Sequence, residues 1–165
     1  MSITSRAHIR AVLEPLRKRG KKVVFTNGCF DLLHVGHVRY LGEAKRHGDI
    51  LVVGLNSDSS VRKIKGPTRP FVGQEDRAEI LDALDAVDYV VLFDEPTPRE
   101  LIRAVRPDVL IKGSDYAPDE IVGAGLLKDT RGTVVTVPLV SGRSTTALAE
   151  KIRKALDTRP APKTR

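Results

Sequence analysis

Two histidines three residues apart, His34 and His37, come after a short β-branched run that ends at Asn27-Gly28. At the start of a helix that spacing puts both imidazoles on one side. Gly36 between them leaves no side chain to block close backbone approach by a ligand. Free amides at a helix N-terminus favour phosphate, and two imidazoles add donors for charge developing on phosphorus. The same pair also suits a structural role or a metal, since His is a frequent metal ligand. No third Cys or His lies close by, so zinc is unsupported.

Four further clusters offer groups suited to anions. Arg62, Lys63, Lys65 and Arg69 crowd a Gly/Pro-bearing stretch, where they either close over an anionic ligand or form a solvated charged loop. Arg143, Ser144, Thr145 and Thr146 open a helix. Capping alone accounts for Ser144 but not for a guanidinium and three successive hydroxyls. Lys112, Gly113 and Asp115 supply a cation, a turn glycine and a carboxylate. Asn56 and Asp58 could orient a hydroxylated substrate or cap the segment after them. Neither a P-loop nor a G-x-G-x-x-G is present. Neither a Ser-His-Asp nor a Cys-His order is apparent, and Cys29 reads as a small packing residue. Positioning plus electrostatics, without a protein nucleophile, is how phosphoryl chemistry runs. These residues together read as a nucleotide-using phosphoryl or nucleotidyl transferase.

The elements that must position these residues alternate. Apolar spacing predicts a helix over 4–19, with Pro15 kinking or splitting it, then a strand over 23–26. Next come a helix over 38–47 and a strand over 49–56, the latter apolar on both faces. Helices are expected over 74–84, 97–105, 119–127 and 144–156, and strands over 89–93, 109–111 and 133–137. Residues 57–73 read as a long functional loop. The pattern is an α/β fold, an open parallel sheet of about five strands with helices on both faces. Ligands of such sheets sit at the strand carboxyl ends, which is where the clusters fall.

The 165 residues, 41% apolar and 30% charged, suit one folded domain. We expect it over 1–157, with a helical extension at 1–21 and a basic tail at 158–165. The net charge is +7, but residues 1–22 carry +6 and 143–165 carry +5, leaving 23–142 at −4. Basicity at the ends and seven scattered aromatics argue against nucleic-acid binding. No apolar stretch approaches the roughly 20 residues that span a bilayer. No secretory signal is present, and the single cysteine, Cys29, excludes an internal disulfide. A cytoplasmic protein without membrane partners is expected.

The stretch from Gly28 to His37 resembles the H-x-G-H signature of the cytidylyltransferase-like nucleotidyltransferases, and Gly142 to Thr146 resembles their second signature. In glycerol-phosphate cytidylyltransferases that second signature begins with an Arg whose place Leu139 takes here. The fuller match is to D-glycero-D-manno-heptose 1-phosphate adenylyltransferases. Their pieces FTNG-x-FD-x-LH-x-GH, NSD, KG-x-x-RP, AVD, KG-x-DY and STT recur in this order between Phe25 and Thr146.

The resemblance implies a Rossmann-like fold and transfer of AMP from ATP, with Mg²⁺, to heptose 1-phosphate. It casts His34, His37, Lys65 and Arg143 as catalytic. The nucleotide would be lined by Thr26, Asn27, Gly28, Cys29, Phe30 and Gly36, by Lys112, Gly113 and Asp115, and by Ser144, Thr145 and Thr146. Asp31, Asn56, Asp58 and Arg69 would serve the sugar phosphate. No protein metal ligand is expected. The resemblance also implies a homodimer or higher homo-oligomer, and a separate kinase that supplies the phosphorylated heptose. Other acceptors, as in the glycerol-3-phosphate cytidylyltransferases or FMN adenylyltransferases, are the alternative. A non-enzymatic nucleotide-binding module would be expected to lack a histidine or the Ser-Thr-Thr hydroxyls.

Overall fold

The computed structural model describes residues 2–114, 121–128, 131–138, 142 and 144–157. In chain order its elements are β1 (Ile3–Thr4), α1 (Arg6–Lys18), β2 (Val23–Gly28), α2 (Val35–Lys45), β3 (Ile50–Asn56), α3 (Asp58–Lys65), α4 (Gln74–Asp82), β4 (Tyr89–Phe93), α5 (Arg99–Val105), β5 (Val109–Gly113), α6 (Ala124–Lys128), β6 (Thr133–Val137) and α7 (Thr145–Asp157). Among the described residues six strands form one all-parallel sheet in the order β1-β4-β3-β2-β5-β6.

Strand residues alternate between two cores. Val24, Leu51, Val53, Val90 and Ile111 face α2 and α4, meeting Tyr40, Leu41, Ala44, Ala78 and Leu81. Val23, Phe25, Val52, Val91 and Leu110 face α1, α5 and α6, meeting Ile9, Leu13, Leu101, Ile102 and Leu127. Burial on both faces is why β3 reads as a nearly unbroken apolar run, Ile50-Leu51-Val52-Val53-Gly54-Leu55. The feet of the strands are pinned by aspartates. Asp49 accepts from the Lys22 amide, Asp88 from that of Leu51 and Asp108 from that of Val23.

The sheet has six strands rather than about five. The additional one, β1, pairs Ile3 with Val90 and Thr4 with Val91, where a helix is expected from residue 4. Ser5 instead caps α1, its Oγ accepting from the His8 amide. Pro15 does not split α1, which runs unbroken from Arg6 to Lys18. Its ring is exposed, and buried Ile9 and Leu13 dock the preceding turns on the core. The stretch 57–73 is not all loop, because Ser57 caps the eight-residue α3 inside it. The helix around 119–127 is reduced to Ala124–Lys128 among the described residues. Residues 158–165 lie outside the described residues.

The chain leaves β2 for β3 on one side and later returns to β5 on the other, so the switch point lies between the carboxyl ends of β2 and β5. The layer beneath α1 and α5 is tightly packed at Gly54 of β3. A Cβ there would lie 2.9 Å from Phe25 Cζ, 3.0 Å from Leu101 Cδ2 and 3.1 Å from Asn27 Cβ. Gly54→Ala is therefore expected to cost about 1–3 kcal/mol by overpacking. Urea unfolding measures it, and a change under about 0.5 kcal/mol would show that the site has room.

Candidate functional site

The loop from β2 to α2 carries the histidine pair, and each turn of it is held. Inside β2, Thr26 Oγ1 and Tyr40 Oη share a buried hydrogen bond of 2.8 Å that latches the strand to α2. Phe30 adopts φ 44°, a left-handed backbone uncommon for an aromatic residue and costing of order 1 kcal/mol. Its ring is buried against Gly28, where a Cβ would come within 3.0 Å of Phe30 Cε2. Asp31 is next, its side chain wholly buried. The carboxylate accepts from Arg69 Nε at 2.6 Å and from the amides of Phe71 and Val72 at 2.7 and 3.0 Å. That set satisfies a buried charge and straps the loop after α3 to the loop before α2.

His34 is the N-cap of α2, and its Nδ1 accepts from the Gly36 amide at 3.1 Å. The helix thus starts at residue 35 rather than 38. In the neutral ring the proton accordingly sits on Nε2. His37 stacks on His34 with ring centroids 3.9 Å apart and meets Phe30 edge-on at 5.3 Å. Burial, the neighbouring His34 and Lys65 together push the His37 pKa down to about 4. At neutral pH His37 is an uncharged imidazole that can donate one N–H. Its Nδ1 is buried without a hydrogen-bond partner, as is Asn27 Oδ1.

The basic stretch divides by role. Lys65 ends α3 close enough to act on His37 and on the half-buried Cys29. Burial raises the Cys29 thiol pKa, and its Sγ lies 4.0 Å from Asn56 Oδ1. Arg69 is folded back on Asp31, with its guanidinium 4.3 Å from the Phe71 ring centroid. Arg62 and Lys63 are exposed. At the far wall Ser144 caps α7, its Oγ accepting from the Ala147 amide at 3.0 Å. Thr145 Oγ1 donates to Leu32 O at 3.5 Å, so the amino end of α7 meets the β2–α2 loop. Thr146 is exposed beside it, and Lys112 and Gly113 end β5 across the switch point. Asp115 and Arg143 lie outside the described residues.

Arg77 of α4 is the residue that motif reading misses. It is 1% exposed. Its guanidinium donates to Val72 O at 2.9 Å, Cys29 O at 2.5 Å, Asn56 O at 2.9 Å and Asp58 Oδ1 at 2.8 Å. One side chain joins the ends of β2 and β3, the start of α3 and the loop beyond α3. Asn56 and Asp58 are engaged within this frame: Asn56 Nδ2 donates to Ser60 Oγ, and Asp58 holds Arg77. A signal existed in the sequence, because Arg77 and Leu81 are four apart and a charge therefore stands in the apolar stripe of α4.

Donors and cations thus ring the crevice, and the one hydroxyl–imidazole pair among the described side-chain contacts, Ser5 with His8 at 2.9 Å, stands at the start of α1, away from the histidine loop. The arrangement can bind phosphates and stabilise charge on them. Two outcomes test the frame. Arg77→Met should cost about 3 kcal/mol or more, because it leaves Asp58 and three carbonyls without their donor; denaturant unfolding that moves by less than about 1 kcal/mol would contradict this. His37 should titrate near 4 by NMR in the free protein. An unfolded imidazole titrates near 6.5, so the unfolded chain binds more protons between about 4 and 6.5. This group's contribution to stability is full above that window and falls as pH drops through it. Titration of His37 near 6.5 would refute the neutral imidazole.

A family model described as cytidylyltransferase-like matches residues 25–158. The bifunctional protein HldE of Syntrophotalea carbinolica is 58% identical over 150 residues, covering 91% of this chain and 31% of that protein. That of Geobacter metallireducens is 54% identical over 147 residues, covering 89% and 30%. The chain therefore spans about a third of the length of these curated relatives. Among solved structures, the lipopolysaccharide core biosynthesis protein of Thermoplasma volcanium superposes with a TM-score of 0.59 at 31% identity, over 73% of this chain and 98% of that one. The pantoate-beta-alanine ligase of Francisella tularensis, complexed with beta-gamma ATP and beta-alanine, gives 0.60 at 17% identity over 96% and 80%, a likeness of fold. With the H-x-G-H pair at a helix start beside the switch point of a Rossmann-like sheet, the chain belongs to the cytidylyltransferase-like family of nucleotidyltransferases.

Proposed function

We propose that this chain transfers AMP from ATP to D-glycero-D-manno-heptose 1-phosphate, giving ADP-heptose and pyrophosphate, as a step toward lipopolysaccharide or another heptose glycan. The observation that carries this reading is the 58% identity to a bifunctional HldE over 150 residues, which include the whole ordered motif set. Leu139, standing where glycerol-phosphate cytidylyltransferases have Arg, and the HldE likeness both count against that alternative. The acceptor already bears phosphate, so a sugar kinase reaction supplies it. A reaction that draws on ATP as donor suits the cytoplasm.

In this mechanism an oxygen of the sugar phosphate attacks the α-phosphorus in line, forming the new P–O bond as the bond to pyrophosphate breaks. His34 and His37 donate N–H bonds to the α-phosphate oxygens as charge builds on them. The amides and hydroxyls of Ser144, Thr145 and Thr146 take the leaving phosphates, with Arg143 and Lys65 closing over them. Asn27, Gly28 and Phe30 line the nucleotide, with Lys112 and Gly113 on its far side. Asp31 and Arg69 hold the strap that borders the acceptor. Asp31 is spent on Arg69 and two amides, and among the described residues no three Cys, His, Asp or Glu gather. Mg²⁺ would be held through the nucleotide's own phosphates and would supply neutralisation of their charge there.

The deciding experiment measures pyrophosphate release with Mg²⁺, offering ATP, CTP and GTP against both anomers of heptose 1-phosphate and against glycerol 3-phosphate. Release with ATP and one heptose anomer is expected; release with CTP and glycerol phosphate would overturn the acceptor and the base together. His37→Ala should lower turnover at least about a hundredfold while leaving ATP affinity within about tenfold, as loss of a transition-state donor does. Equal losses in binding and turnover would remove His37 from that role.

A further inference from the structure

A second concentration of cations lies at the opposite end of the sheet, where β2, β5 and β6 begin. A cavity of about 550 Å³ is lined there by Arg17, Lys21, Lys22, Asp108, Arg131 and Thr133. The four cations come from α1, from the turn into β2 and from the turn into β6, so the fold gathers them from distant parts of the chain. The single acid, Asp108, is engaged, its Oδ2 accepting from the Val23 amide at 2.8 Å. Lys21 pairs with Asp49 at 3.0 Å, and Arg17 donates to the carbonyls of Val105 and Arg106 at 2.6 and 2.8 Å. Lys22 and Arg131 have no ion-pair partner among the described residues. Burial lowers the Arg17 pKa, with Arg106 adding to the shift and the carboxylates of Asp108 and Glu14 opposing it.

A concave site with excess positive charge, a hydroxyl at Thr133 and no aromatic wall is matched to charge rather than to a base or a sugar ring. Stacking surfaces are what single-stranded nucleic acid needs, and none lines this cavity. A five-residue strand, at about 3.3 Å per residue, sets the cavity roughly 17 Å from the histidine end of the sheet. We propose that this cavity is an anion site that takes a compact phosphate group bearing two or more charges, separate from the crevice that holds the nucleotide. Lys22 and Arg131 supply its uncommitted charge, and Arg17 forms its half-buried wall.

Inorganic pyrophosphate is the probe, titrated into the ¹⁵N-labelled chain at constant ionic strength. The amides of residues 20–22 and 131–133 should shift saturably, with a midpoint below about 1 mM, as a set distinct from residues 34–37. In Lys22→Ala/Arg131→Ala the midpoint of the first set should rise at least about tenfold while the shifts of residues 34–37 persist. Both substituted side chains are exposed, so folding is retained. Linear shifts without saturation, equal shifts in sodium chloride of matched ionic strength, or a midpoint untouched by the double variant would each overturn the proposal. A single-stranded RNA that moves the same amides at lower concentration would also overturn it, in favour of a nucleic-acid surface. Pyrophosphate binding at the histidine crevice reports on the second set alone, so failure of one reading leaves the other standing.

Discussion

The crevice depends on a charge buried where the sheet ends. A guanidinium removed from water is tolerated only when its donors are met, and Arg77 meets them with three carbonyls and one carboxylate. None of those acceptors belongs to α4 itself. The side chain therefore acts as a joint between β2, β3, α3 and the loop after α3. Three of these carry something the crevice needs: the histidine loop comes after β2, Lys65 ends α3, and the strap held by Asp31 lies beyond α3. Asp31 is the complementary joint, a buried carboxylate that accepts from the strap what Arg77 leaves free. One buried cation with four hydrogen bonds and one buried anion with three set the relative positions of segments that would otherwise be separate loops.

This explains how an eight-residue helix rich in Ser, Lys and Arg stays folded. Helix α3 buries only Ser60 and Val61, too little apolar surface for a helix of that length to hold itself. Its start is held by the Ser57 cap and by the Asp58–Arg77 pair, and its end turns at Gly66 with φ 97°. Such support is tertiary, which is why residues 57–65 read as loop from local pattern. The same reason hides β1. Two residues carry no period, and Ile3 and Thr4 become a strand only because the edge of β4 is there to pair with. By contrast β3 and β4 announce themselves, because a strand covered on both faces is apolar nearly throughout.

The chemistry of the site divides in the same way. The spacing of His34 and His37 already places both rings on one side of a helix start. It does not reveal that His34 spends Nδ1 on capping that helix, or that burial keeps His37 neutral. Asp31 and Arg69 have the residue types of a substrate clamp, yet they are clamped to each other. Motifs report which side chains gather at the strand ends; they are silent on which ones the frame consumes. Arg77 lay in the apolar stripe of α4 as an anomaly of pattern, and only the contacts across the sheet turn that anomaly into a role.

A neutral His37 beside a lysine has a consequence for the proposed transfer. An imidazolium would attract the triphosphate before reaction as strongly as during it, and attraction shared by both states does not raise turnover. A neutral N–H gains mainly as charge accumulates on the α-phosphate oxygens, so its contribution is weighted toward the transition state. Lys65 favours this division, because its ammonium both attracts phosphate and helps to keep the histidine uncharged. The stacked His34 adds to the same effect at 3.9 Å. The pair thus works as a preorganised set of dipoles at a helix N-terminus, held by the Phe30 ring and the Gly36 amide, with the binding charge carried by other groups.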